Sequence, residues 1–176
     1  MPPKPKFTKE MLIQTAIELA KEGGLEAIVA RNLGAKLDMA PSTIFTHFNS
    51  VEEIRQAVIA EARVLYNRYV EEGLRMVPPM KGFAVQYIRF AMEEPMLYSV
   101  LFMKKREDFK YVDFIVDEGH YEKIITAAET DFSLNREQAE FVYHNMWAYA
   151  HGLAVMSATG VCKFSIDEIA RMLGMA

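Results

Sequence analysis

Apolar residues in this chain recur at spacings of three and four, and no stretch sustains the period-two alternation that a half-buried strand needs. The chain must therefore bury helical faces, and its fold class reads as all-α. Leu12, Ala16 and Leu19, flanked by Ile13, Ile17 and Ala20, form a stripe that opens after Thr8, a good N-cap, and stops at Gly23-Gly24. A second helix is predicted over 30–37, with Leu33 and Leu37 facing inward and Asp38-Met39-Ala40 as the turn. Pro41 suits the first position of a third helix, because its missing N–H is not needed there. Ile44, Phe45 and Phe48 carry that helix through Phe48. Ser50-Val51-Glu52-Glu53 has the form of a capping box and opens a long fourth helix. Its stripe of Val51, Ile54, Val58, Ala62, Leu65, Tyr69 and Gly73 runs to about Met76, where Val77-Pro78-Pro79 breaks the chain. Further helices are predicted over about 82–94, 95–103, 111–130 and 135–159. A last one follows Ser165, where Ser165-Ile166-Asp167-Glu168 repeats the capping pattern. The implied layout is a three-helix unit in 1–50, a connecting helix over 51–76 and a helical body over 77–176.

Composition narrows the function classes. One cysteine in 176 residues forms no internal disulfide, and Met1 to Lys9 is rich in proline and lysine rather than apolar, so the expectation is a cytoplasmic protein. A net charge of −4 argues against a wholly basic nucleic-acid binder. Residues 1–50, however, carry six Lys and Arg against five Asp and Glu, so the acidic excess lies in the remainder. Any polyanion would meet the N-terminal end.

Three short helices within 8–48, with a tight turn between the second and third, have the spacing of a helix-turn-helix reader. The second helix braces the third, whose outer face is free to enter a major groove. The stretches Arg31-Asn32-Leu33-Gly34-Ala35-Lys36-Leu37-Asp38, Thr43-Ile44-Phe45-Thr46-His47-Phe48 and Ser50-Val51-Glu52-Glu53-Ile54 resemble the TetR family of transcriptional repressors. The corresponding family pattern is Arg-x-Ile-Ala-x-x-x-Gly, Thr-Leu-Tyr-x-His-Phe and Ser-Lys-Glu-Glu-Leu. The resemblance implies base-edge contacts from Pro41, Ser42 and Thr43. It implies phosphate contacts from Arg31, Thr46 and His47, and from an arm carrying Lys4, Lys6 and Lys9. Phe45 shares this face, either against DNA or as a half-buried packing residue, and His47 is alternatively a cap-forming histidine. Departures from the pattern bear on the turn, the caps and two backbone contacts. Asp38 stands for Gly, which the left-handed turn tolerates. Ala40 stands for the Ser cap and Val29 for Thr, while Phe45 and Val51 replace the Tyr and Lys of two backbone contacts.

The body is dense in Met and aromatic residues, which first of all supply a core. By analogy with the family, part of this set also lines an adaptable pocket. The candidate ligand-binding residues are Phe83, Tyr87, Phe90, Phe102, Phe114, Tyr121, His144, Trp147 and His151. Trp147-Ala148-Tyr149-Ala150-His151-Gly152-Leu153 resembles a Trp-then-His-Gly signature of one TetR subgroup, in which this helix combines core, pocket and subunit contacts. There Gly152 would admit a neighbouring helix. His144 and His151, seven apart, share a helical face with Glu140 one turn away, either as ligand contacts or as satisfied core histidines.

Other classes fit poorly. Asp117-Glu118-Gly119-His120 is one Asp-x-x-His, short of a carboxylate-bridged di-iron site. Phe141 to Val161 is 21 residues free of Asp, Glu, Lys and Arg, but polar residues interrupt it and no basic flank frames it. Cys162 lacks a local histidine, and no Gly-x-Ser-x-Gly or phosphate loop occurs. The expectation is a non-enzyme without cofactor or metal. It is a homodimeric repressor on a palindromic double-stranded operator, paired through its last two helices and released by a small apolar or aromatic effector. The alternative is a helical ligand-binding or interaction module whose degenerate reader does not bind DNA.

Overall fold

The computed structural model describes residues 7–103 and 118–174, and among these every regular element is helical. In chain order they are α1 (Lys9–Gly23), a short 3-10 turn (Leu25–Ala27), α2 (Ala30–Leu37), a 3-10 helix (Pro41–Thr46) and α3 (Val51–Leu74). Then follow α4 (Pro79–Glu93), α5 (Pro95–Phe102), α6 (Glu118–Phe132), α7 (Arg136–Ala158) and α8 (Ile166–Met172).

Local chemistry sets most of these boundaries. The Thr8 hydroxyl accepts the Met11 amide at 3.2 Å, and Gly24 leaves α1 at φ 69°. Asn135 with Gln138, and Ser165 with Glu168, close reciprocal capping boxes at α7 and α8. At α3 the box is only half formed. Ser50 Oγ accepts the Glu53 amide at 3.1 Å, but the Glu53 carboxylate accepts the Asn49 amide at 2.8 Å and the Asn49 side chain at 3.1 Å. Prolines 78 and 79 bring no capping side chain to α4, so a remote carboxylate, Asp131 of α6, accepts the Met80 amide at 2.9 Å. With proline tolerated in a first turn, α4 begins at Pro79 rather than near Gly82. The helix expected over 111–130 is Glu118–Phe132, and positions 111–117 lie outside the described residues.

The expected stripe of α3 needs correction beyond its middle. Ile54, Val58, Ala62, Tyr66, Val70 and Gly73 are buried, whereas Leu65 and Tyr69 are only half-buried. Steps of four advance slightly further than one turn, so the buried line drifts around the helix. This drift lets α3 face α1 at its start and α4 towards its end.

Helix α4 is the centre. Met80, Phe83, Tyr87, Ile88 and Phe90 are all at most 1% exposed, and α4 packs on α3, α5, α6, α7 and α8. Burying each such large apolar side chain stabilises the fold by roughly 1.5–3 kcal/mol relative to exposure. The α3–α4 crossing is tight at Gly73 and Gly82. A Cβ on Gly73 would lie 2.7 Å from the Gly82 carbonyl oxygen and 2.7 Å from Phe83 Cα. Both are backbone atoms that cannot swing aside.

Gly73→Ala is therefore expected to destabilise the chain by about 1–3 kcal/mol through overpacking. Gly152→Ala, whose Cβ meets nothing of its own chain within 4 Å, should leave the helicity of a single chain unchanged in circular dichroism, so that a loss of stability on chemical denaturation would report a partner helix at that face.

Candidate nucleic-acid interface and aromatic body

The N-terminal unit presents a narrow face. Ile44 is fully buried and Phe48 2% exposed against the interior, which anchors the Pro41–Thr46 segment across α2. Asp38 takes the left-handed conformation (φ 50°, ψ 51°) that turns the chain between the two, and Gly34 lets it pass, since a Cβ there would sit 2.8 Å from the Met39 carbonyl oxygen. The third helix is a 3-10 helix and ends at Thr46 rather than an α-helix running through Phe48. The Thr46 hydroxyl donates to the Thr43 carbonyl at 2.7 Å, and Thr43 N–H reaches the Ala40 carbonyl at 2.9 Å, which favours the tighter winding.

Pro41, Ser42 and Thr46 are exposed, Phe45 is 50% exposed, and Thr43 and His47 are half-buried. Phe45 thus keeps half of its surface against the chain and turns the other half outward. Neither Val29 nor Ala40 supplies a side-chain cap. Arg31 is exposed on α2, and no ion pair engages it among the described residues. Lys9 stands 4.0 Å from Glu53 and 4.8 Å from the Phe48 ring centre. Lys36 bridges Glu22 at 2.7 Å and Glu18 at 3.4 Å, and Lys21 reaches Glu94 at 2.6 Å. Glu10 is held below the usual carboxylate range by its backbone and Thr8 hydrogen bonds, with a smaller pull from His47. Lys4 and Lys6 lie outside the described residues.

In the body, Phe83, Tyr87 and Phe90 of α4 are fully buried, while Phe102, Tyr121, His144, Trp147 and His151 are half-buried. Phe114 lies outside the described residues. Tyr87 is the hub, with ring contacts to Phe83, Phe102, Trp147 and His151 at 5.3–6.4 Å. Tyr121 and His144 belong to a second group around Tyr143. Two members were not singled out from sequence: Tyr66 of α3 and Tyr98 of α5. The steps of four from Ile54 through Ala62 point to Tyr66.

A polar triangle lies inside this cluster. The Tyr87 and Tyr98 hydroxyls are each 2.8 Å from His151 Nδ1 and 3.2 Å from one another. In a neutral His151, Nδ1 either accepts from one phenol or donates to it, and the two phenols bond to one another. Burial favours the neutral form of all three groups. It lowers the His151 pKa, pushes Tyr98 up to about 12 and raises Tyr87 well above its ordinary range. Trp147 stacks on His151 at 4.7 Å and 16°.

Two open grooves flank α3, α4 and α6. One of about 410 Å³ is lined by Arg68, Glu71, Arg75 and His120, and another of about 560 Å³ by Leu74, Pro79, Lys123 and Ala127. Glu71 accepts from Lys123 at 2.6 Å and pairs with His120 at 3.0 Å. Among the described residues no group of three His, Cys, Asp or Glu is arranged to hold a metal, and no helix is long and apolar enough to cross a membrane.

The chain is similar to HTH-type transcriptional regulators. YobS of Bacillus subtilis (strain 168), an uncharacterized HTH-type transcriptional regulator, is 23% identical over 107 residues, or 59% of this chain. That match spans only 56% of YobS, little more than half its length. The uncharacterized HTH-type transcriptional regulator Rv0681 of Mycobacterium tuberculosis (strain ATCC 25618 / H37Rv) is 24% identical over 89% of this chain and 72% of its own. No family model matches the chain. The solved structure of Salmonella enterica GusR overlays 97% of this chain and 98% of its own with a TM-score of 0.38 at 16% identity.

The triangle makes stability pH-dependent in a definite direction. His151 binds a proton near 6.5 when unfolded but only at lower pH when folded, so its contribution is complete above pH 6.5 and is lost as pH falls below it. His151→Asn keeps an acceptor at the Nδ1 position without titrating. Melting curves from pH 7.5 down to about 5 are expected to show the wild type losing more stability than this variant.

Proposed function

We propose that this chain is a TetR-type transcriptional repressor that binds a palindromic DNA operator as a homodimer and is released by a small, largely apolar effector. The observation that carries the reading is the outward face of Pro41–Thr46, held by buried Ile44 and Phe48 and carrying the exposed side chains of Pro41, Ser42, Phe45 and Thr46. The Ser42 and Thr43 hydroxyls and the Thr43 methyl suit base edges, and Arg31 suits a phosphate. The distant HTH-type relatives support it.

Pairing is supported by α7 and α8. Phe141 is 70% exposed and Tyr149 47%, Gly152 has open space where its Cβ would be, and Ile166 and Met172 of α8 are exposed as well. Two such faces would form a four-helix contact. The two readers would then sit about 34–36 Å apart, in successive major grooves. Units 1–50, 51–76 and 77–176 divide the work into DNA contact, connection and sensing. The aromatic body receives the effector, through Phe83, Tyr87, Phe90, Phe102, Trp147 and His151 in one cluster and Tyr121 and His144 beside it. Soluble, cytoplasmic operation follows from this role.

Mobility shifts with the DNA upstream of its own gene, run across salt concentrations, test the reading. Thr43→Ala should weaken binding about tenfold while the dimer persists in ultracentrifugation. Loss of pairing with unchanged DNA affinity would contradict the assignment. Arg31→Ala should flatten the log K against log salt slope by about 2 per dimer, one phosphate per protomer. Tyr149→Glu should convert the dimer to monomer at micromolar concentration and weaken DNA binding with it, without lowering the monomer's helicity. A protein that pairs but ignores every duplex at low salt is the DNA-independent ligand-binding module instead.

A further inference from the structure

We propose that Phe45 is a sequence-reading residue and that it recognises the 5-methyl group of a thymine in each operator half-site. This inference rests on the DNA-binding role given to the Pro41–Thr46 face and names the base that the face selects.

The winding of the segment decides which side chains share an edge. A 3-10 helix has three residues per turn, so side chains three apart stand above one another. Pro41–Thr46 is such a helix, and its side chains fall into the rows Pro41 with Ile44, Ser42 with Phe45, and Thr43 with Thr46. Ile44 is fully buried, so the first row runs into the interior behind its exposed first residue, Pro41. In the last row Thr43 is half-buried, and the Thr46 hydroxyl turns back to donate to the Thr43 carbonyl at 2.7 Å. The row of Ser42 and Phe45 is the open one, with Ser42 exposed and Phe45 50% exposed. In an α-helix these two residues would stand about 60° apart around the axis. Ile44 and Phe48, the large apolar neighbours, are buried, so Phe45 is the large apolar side chain that this segment turns outward. Half of it packs on the chain, which restricts its motion, and the other half leaves roughly 100 Å² of apolar surface open to water.

What such a ring can recognise follows from its chemistry. A phenyl group has no donor for a phosphate and no donor or acceptor for the polar part of a base edge. A stacked duplex closes the faces of its bases, so a side chain entering the major groove meets edges, and the apolar group on those edges is the thymine methyl. Covering that methyl removes apolar surface from water on both partners, a gain that does not depend on counterion release as a phosphate contact of Arg31 does. The methyl stands on the thymine side of its pair, so the contact separates T·A from A·T and from both orientations of G·C.

The test uses the full chain and the duplex that it selects from a random-sequence pool. The selected sites are expected to share a thymine at a fixed position of each half-site. Deoxyuridine in its place removes only the methyl, and with both half-sites replaced it should weaken binding about tenfold in mobility shifts. In Phe45→Ala, with helicity checked by circular dichroism, the same replacement should change affinity by no more than about twofold. The slope of log K against log salt should match that of the wild type. A measurement on the wild type alone complements the variant. With 5-iodouracil at that position, whose iodine occupies the place of the methyl, irradiation should crosslink the duplex to Phe45, located by peptide mass spectrometry. Uracil tolerated at every thymine of the selected site overturns the proposal. So does a uracil penalty undiminished in Phe45→Ala, or a crosslink at any other residue. A protein that selects and shifts no duplex sinks the regulator reading and this inference with it, whereas a selected site indifferent to uracil sinks this inference alone.

Discussion

The structure depends on the place where α3 and α4 touch backbone to backbone. Gly73 and Gly82 face each other so closely that neither accepts a methyl group, and this contact brings the long helix against the helix that everything else surrounds. Because α3 approaches at that distance, the side chains before it, Tyr66 and Val70, reach into the layer of Phe90, Tyr87 and Phe102. A wider crossing would leave those rings with gaps, and dispersion falls steeply with separation. The second pin is ionic and polar. Asp131 caps α4 from α6, and Tyr69 of α3 donates to Glu93 at 2.7 Å at the far end of α4.

The same helix α3 belongs to both ends of the molecule. At its start Ile54 and Val58 complete the core of the N-terminal unit; twelve residues after Val58, Val70 is buried in the body. Arg55 fastens that start by donating to the Ile28 carbonyl and pairing with Glu26. A second route joins the ends through α5. Glu94, at its cap, pairs with Lys21 of α1, and the methyl of Met96 lies against Gly24. One turn later Tyr98 of this eight-residue helix enters the His151 triangle. A short helix held at one end by α1 and at the other by α7 has little freedom to move without disturbing both. On the proposed reading, coupling of about 1–3 kcal/mol between effector and reader would need to pass through contacts of this kind.

What the sequence made legible was mostly local. Caps at Thr8 and Ser165, the glycine stop at Gly24, the left-handed Asp38 and the Pro-Pro break are all written within a few residues of where they act. So is the reach of α2. The features that escaped are those decided at a distance. The buried line of α3 changes course because its partner changes from α1 to α4, which no single-helix pattern contains. Glu53 prefers Asn49 to the Ser50 amide, a choice between neighbours that the Ser-x-x-Glu pattern does not distinguish. The winding of Pro41–Thr46 turns on where one threonine hydroxyl points. In the body, the sequence offers a set of aromatic residues with His144 and His151 on one helical face. The arrangement that gives them chemistry joins His151 to Tyr87 and Tyr98 across 64 and 53 positions.

The electrostatics of the N-terminal unit bear on why a single copy is a poor DNA reader. Lys21, Lys36 and Lys9 each face a carboxylate of the chain itself, and Arg55 faces Glu26 and Glu52. Such exposed pairs contribute at most about 1 kcal/mol each to stability, but they leave Arg31 as the cation of α2 that meets no counter-charge among the described residues. Phosphate neutralisation supplies the sequence-independent part of DNA affinity, and among the described residues of this face few free cations are placed to give it. The exposed side chains of Pro41–Thr46 are hydroxyls, a proline ring and Phe45, which discriminate bases by weak contacts rather than by a bidentate arginine. On the proposed reading, weak positioning and weak readout in one copy would become adequate when two copies bind one duplex and their energies add. Phe141 and Tyr149 would then matter as much to DNA recognition as Ser42 or Thr43, although they stand on the other end of the chain.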